Sequence, residues 1–240
     1  MKKIAGLLLF LFLGKVASSQ IMIALLFGDK LNKGKMEFGI TVNPCFTNIS
    51  DLDGNLRPGL NLGIFLNFNM SEKFIIHVDG IAKGSYGAKN LAPYPIGNDT
   101  LDKMFEGGKV ERVIKAFSLP ILARYRVART FFLDAGIQAN WMLKAKDVFN
   151  TEVDDQDLDY TIHVSGDVTK LDFGLAAGFH FKLKDDRRSM GLGFRYYQGL
   201  TDIIKSRGGN QVNSAMSIVV TIPVGTGKAA AAQNGQSSSK

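Results

Sequence analysis

Eight separate stretches of this chain alternate apolar and polar residues, and the gaps between them run long, short, long, short, long, short, long. Alternation has a period of two, so each stretch is an extended strand with one apolar and one polar face. In the clearest stretch Leu60, Leu62, Ile64, Leu66, Phe68 and Met70 share one face, while Asn61, Gly63, Phe65, Asn67 and Asn69 share the other. Eight such strands joined by alternately long and short connections are the layout of an antiparallel up-and-down β-barrel.

The N-terminus says where such a barrel is sent. Lys2 and Lys3 precede an apolar run from Ile4 to Leu13, and Ala17 and Ser19 supply the small residues of a cleavage site. This is a secretory signal peptide over 1–19, too short to span a bilayer as a helix, with the mature chain starting at Gln20. The lone cysteine, Cys45, offers neither a lipid anchor at the cleavage point nor an intramolecular disulfide. No later run reaches the roughly 20 apolar residues of a transmembrane helix, which excludes a helical membrane protein. The net charge of +7 is dispersed, with no run of Lys and Arg longer than two, so nucleic acid is not an expected partner.

The domain plan is a pre-barrel segment over 20–35, a barrel over 36–224 and a disordered Ala-, Gly- and Ser-rich tail over 225–240. The strands are expected at about 36–48, 60–70, 74–86, 111–127, 131–144, 171–183, 190–197 and 212–224, each long enough to cross a membrane at a tilt. Residues 87–110 and the acidic stretch 145–168 are expected as long loops. Pro44 and Pro120 fall inside strands, where proline removes a ladder hydrogen bond, so a local bulge is expected at each.

A membrane barrel and a soluble lipocalin-like barrel show the same alternation with the faces exchanged. Glycine placement favours the membrane, because Gly39, Gly63, Gly136, Gly174, Gly178, Gly191 and Gly193 all lie on the polar face, as suits a crowded lumen. The apolar face carries Phe74, Tyr125, Phe131, Trp141, Phe181 and Tyr196, an expected aromatic girdle at the lipid interfaces. The expected address is the outer membrane, with outer-membrane lipids as the first partners. Bacterial barrels keep short turns in the periplasm, which places 71–73, 128–130 and 184–188 there and the longer connections outside.

The polar face concentrates charge. Acids Glu37, Asp79, Asp134 and Asp172 and bases Lys83, Arg124, Arg126, Lys182 and Arg195 are expected to pair inside the lumen, because unpaired charges away from water are costly. Eight strands leave an interior just wide enough for side chains, so the network is expected to plug the barrel rather than line a pore. His77 and His180 lie on the same face as network members. In the acidic stretch, Asp155, Asp157 and Asp159 match the first ligand positions of a calcium loop, but Tyr160 and Gly166 stand where its glycine and bidentate glutamate belong, so no metal is expected. His163 near Asp167 is the only candidate acid–base pair, and neither an enzyme nor a cofactor is expected.

The segment Phe117-Ser118-Leu119-Pro120-Ile121-Leu122-Ala123-Arg124-Tyr125-Arg126, with Phe131-Phe132-Leu133-Asp134-Ala135-Gly136 after it, resembles the PorT-like family of Bacteroidetes outer-membrane β-barrel proteins. Weaker echoes at Ala82-Lys83-Gly84, Leu171-Asp172-Phe173-Gly174 and Arg195-Tyr196 extend the likeness over about 36–224. The resemblance implies a small outer-membrane barrel in the cell envelope; the founding member of that family is tied to type IX protein secretion. The chain departs from a common barrel habit in ending its last strand with Ile222-Pro223-Val224 and a tail instead of a terminal aromatic. The expected function is a non-enzymatic envelope barrel that engages other envelope or secretion proteins. The alternatives are a porin-like channel for small solutes and a soluble, exported, lipocalin-like ligand-binding barrel.

Overall fold

The computed structural model describes residues 35–153, 156–186 and 189–224. The expected signal peptide over 1–19, almost all of the expected pre-barrel segment and the expected tail lie outside the described residues. Among the described residues nine strands and one helix follow each other: β1 Met36–Ile49, β2 Asn55–Asn69, β3 Phe74–Leu91, α1 Asp99–Phe105, β4 Lys109–Arg126, β5 Phe131–Val153, β6 Gln156–His163, β7 Leu171–Lys182, β8 Gly191–Gly199 and β9 Asn213–Pro223. All pairings between these strands are antiparallel.

Eight of the strands close a ring. Each of β1 to β4 pairs with its successor, β5 then pairs with β7, β7 with β8, β8 with β9, and β9 returns to β1 through Ile40↔Ile222 and Thr47↔Ala215. The ninth, β6, stands outside the ring and pairs only with the far half of β5, from Lys146↔His163 to Val153↔Gln156. The expected acidic loop is therefore largely a hairpin. Past Leu143 the alternation resumes as Ala145, Asp147 and Phe149 inside against Lys146 and Val148, so β5 runs on for 23 residues. The expected connection 87–110 likewise contains the end of β3, the start of β4 and α1, whose N-cap Asn98 accepts from the amides of Thr100 and Leu101. These pieces raise a small sheet of β3, β4, β5 and β6 above the ring.

Two backbone irregularities matter for the lumen. The β3–β4 register shifts between Ile81 and Gly84, and the β4–β5 register shifts between Lys115 and Ala116. Neither shift sits at a proline. Pro120 keeps register with Gln138, and Pro44 with Leu60, so the expected bulges at the prolines do not occur. At Pro44 the β1–β9 ladder simply lapses between Val42 and Cys45 and resumes unshifted.

Glycines on the inner face serve strand approach. A Cβ on Gly136 would strike the carbonyl of Ile121, and one on Gly178 that of Phe194. Curvature tight enough to close eight strands brings the next backbone that near on the concave side.

Candidate functional site

The inner face of the ring is built from polar residues in two layers capped by an apolar one. At the short-turn end Glu37 accepts from Lys182 Nζ at 3.1 Å and from Asn67 Nδ2 at 3.1 Å. Asn67 Oδ1 meets His77 Nδ1 at 2.6 Å, His77 Nε2 lies 3.0 Å from Asp79, and Arg195 Nη1 donates to Asp79 at 2.6 Å. Beside this chain Arg124 grips Asp134 through two parallel bonds of 2.8 Å, a fork on a carboxylate. Arg124 is only 1% exposed, so the pair is withdrawn from water.

Three residues expected in this network behave differently. Lys83 is outside: the β3 register shift leaves it opposite the outward residue Leu62 and exposed. Arg126 faces inward but lies over the Phe132 ring at 5.2 Å instead of on a carboxylate. Among the described residues Asp172 meets no base; it accepts from Asn140 Nδ2 at 3.1 Å and Asn213 Nδ2 at 2.9 Å. That exchange belongs to the second layer, where Tyr86 donates to Asn140 at 2.9 Å and accepts from Gln138 at 2.7 Å. The other network histidine, His180, meets Thr221 at 3.3 Å.

Above the second layer Ile49, Ile114, Met142, Val168, Ile203 and Ile204 form an apolar lid. Ile203 and Ile204 come from the connection 200–212, which folds back over the mouth. Asp202 holds it there by accepting from the Ile204 and Gln211 amides, and Val168 bridges Ile204. Between the layers, the space bounded by Asn43, Asn61, Tyr86, Gln138, Arg195 and Tyr197 is about 10 Å³. That volume holds at most one water.

A larger cavity of about 380 Å³ opens outside the lid, between Leu52, Leu91, Tyr94, Arg112, Asp147, Asp167 and Arg207. Arg112 donates to both oxygens of Asp147, at 2.8 and 2.6 Å, and the Tyr94 hydroxyl donates to Asp147 at 2.6 Å. Burial works against the Arg112 charge, yet Asp147 outweighs it and holds the guanidinium above its ordinary pKa. Burial, reinforced by Asp147, pushes the Tyr94 phenol up as well. The triad is absent from the sequence expectations, because Asp147 and Tyr94 fall in the stretches 87–110 and 145–168 expected as loops. The Ala145, Asp147, Phe149 alternation was the signal.

The expected acid–base pair does not form. His163 is exposed in β6 opposite Lys146, while the Asp167 carboxylate takes the Ser206 amide at 2.8 Å and lies 3.9 Å from Arg112. Asp157 and Asp159 are alternate residues of the extended strand β6, which does not curl around an ion as a calcium loop does. Asp155 lies outside the described residues. Among the described residues no three or more His, Cys, Asp or Glu gather as metal ligands.

The outside of the ring is the reverse of its lumen. Leu133, Ile137, Phe173, Leu175 and Leu192 are each 49–59% exposed, an apolar band that water would not tolerate. The six residues expected as a girdle are on this face. Phe74 stands opposite Tyr125 and Phe131 opposite Phe181 at the short-turn end; Trp141 stands opposite Leu171 toward the other end, and Tyr196 donates to Gln198 near the end of β8. A lipocalin-like barrel needs these faces exchanged. A closed antiparallel ring that is apolar outside and polar inside is an integral outer-membrane β-barrel.

The sequence agrees on its own: over residues 19–205 it matches the outer membrane protein beta-barrel domain family, and the chain belongs to that family. No curated protein matches it. Among solved structures it is similar to Ail, the attachment invasion locus protein of Yersinia pestis, in complex with the heparin analogue sucrose octasulfate. The TM-score is 0.44 at 10% identity, over 78% of this chain and 98% of that one. It is also similar to Neisserial surface protein A, with a TM-score of 0.38 at 11% identity over 79% and 99% of the two chains. OprG from Pseudomonas aeruginosa follows at 0.29 and 12% identity, over 78% and 91%.

Proposed function

We propose that this outer-membrane barrel is a sealed, non-enzymatic envelope protein whose outer sheet and mouth engage other molecules, while its girdle residues hold it at the two lipid interfaces. One observation carries the reading: ion pairs, a hydrogen-bonded second layer and an apolar lid follow each other along the lumen, and the space between Asn43, Tyr86, Gln138, Arg195 and Tyr197 is about 10 Å³. A hydrated ion needs a continuous column of water, and a space for one molecule is not a column. The resemblance of 117–136 to PorT-like barrels supports a narrower version, in which the partner belongs to a protein-secretion system.

Single-channel recording of the folded chain in planar bilayers tests the seal. The expected result is no stepwise conductance from the native barrel. Steady conductance would overturn the reading, make the protein a porin-like channel and turn Glu37, Asp79, Arg124 and Arg195 into pore-lining residues.

A further inference from the structure

Simple alternation would send Lys83 of β3 and Lys144 of β5 into the lumen, following Ile81 and Met142 on the inner face. The two register shifts prevent this. The shift after Ile81 leaves Lys83 opposite outward Leu62, and the extra residue at Leu143 sets Lys144 directly opposite Lys115 of β4. Bulges re-aim side chains, and here two of them, on neighbouring strand pairs at one height, turn two lysines outward beside a third.

The resulting cluster is unusual in three respects. Like charges directly opposite on a sheet work against the fold, yet Lys115 and Lys144 face each other across one rung. Among the described residues none of the three lies within ion-pair distance of a carboxylate; Glu111, further along the outward face of β4, is held by Arg57 at 2.7 Å. The cluster also crowns the apolar band. From Phe131 to Leu143 the outward face of β5 is uninterrupted apolar residues, about 40 Å of strand, or roughly 30 Å along the membrane normal at a tilt near 40°. The hydrocarbon band of such barrels is about 25 Å tall, so the three ammonium groups stand at headgroup height on the long-loop side, next to Trp141.

We propose that Lys83, Lys115 and Lys144 form a clamp for the phosphate of an outer-leaflet glycolipid. An anion between the two opposed lysines turns their repulsion into a shared attraction, and the third lysine adds a contact from the neighbouring strand. The clamp depends on the long-loop end facing the outer leaflet and is independent of whether the lumen conducts.

Trp141, the sole tryptophan, reports on the patch. The folded full-length chain in neutral detergent is titrated with lipid A bearing its phosphates, with enzymatically dephosphorylated lipid A, and with inorganic phosphate, following Trp141 emission. Saturable binding is expected only for the first. K83Q/K115Q/K144Q should weaken it on the order of a hundredfold, about fivefold per lysine, whereas K73Q/K184Q at the opposite rim should not. The lysines are exposed, so the triple variant should keep heat-modifiable migration on gels. Equal binding of both lipid forms to the native chain overturns the proposal even if that variant fails to fold. Equal affinity for inorganic phosphate overturns the lipid source, and undiminished binding by the folded triple variant overturns the residues.

Discussion

Replacing Arg124 by alanine should be among the most damaging single changes in the barrel wall. Its guanidinium makes two 2.8 Å bonds to Asp134, and the two side chains are 1% and 6% exposed. Truncation strands a carboxylate where water cannot reach it, and breaking a buried pair from one side costs about 3–5 kcal/mol. Against a folding free energy of roughly 5–15 kcal/mol this is about a fifth of the margin or more. The pair itself is worth far less, because folding already spent the desolvation of both charges. Arg124→Met with Asp134→Leu, which removes both charges and retains volume, should therefore fall within about 2 kcal/mol of the native barrel. Urea unfolding of the chain folded into phospholipid vesicles, followed by Trp141 fluorescence, measures Arg124→Ala beside the cycle of Arg124→Met, Asp134→Leu and their double. A loss below about 1 kcal/mol for Arg124→Ala, or a double variant as weak as the sum of its singles, would refute the reasoning.

Two further outcomes test other parts of the structure. Gly136→Val should cost more than about 2 kcal/mol in the same assay, because its Cβ has nowhere to go but into the Ile121 carbonyl; an unchanged midpoint would show that the strands separate without penalty. Burial raises the Tyr94 pKa above its value in the unfolded chain, so the stability it contributes is present below the ordinary tyrosine range near 10 and is lost as pH climbs through the raised folded value. Proteolytic nicking of the mouth should thus increase at alkaline pH in the native chain more than in Tyr94→Phe, and parallel pH profiles would remove Tyr94 from the account.

The faces of the barrel were legible because lipid on one side and a packed lumen on the other impose opposite demands on alternate residues, and Leu60 to Met70 states that contrast almost without exception. The expectation for Lys83 fails for the same reason, and simple alternation fails likewise at Lys144: it assumes an unbroken register, and a bulge is decided by the partner strand. Register between β3 and β4 is a contact across tens of residues that periodicity cannot report. The hairpin of β5 and β6 was hidden because it projects past the lipid, where outward Asn150, Asp157 and Asp159 look like loop residues. Its inner residues, Phe149, Leu158 and Ile162, pack with Phe105 of α1. The lid was illegible for a different cause: Ile203 and Ile204 are two apolar residues in a polar, glycine-containing connection, and only the folded chain shows the mouth they cover.

Strand β5 belongs to two environments at once, its first part anchored between β4 and β7 and its last part held between β4 and β6. No hinge separates them, so a pull on the projecting sheet passes along one continuous backbone into the wall of the barrel. The change of register at Leu143 is the seam between an anchoring half and a display half. An engineer wishing to mount a foreign binding head on this barrel would cut there, and at the matching shift in β3, exchanging the head while the anchor keeps its own pairing.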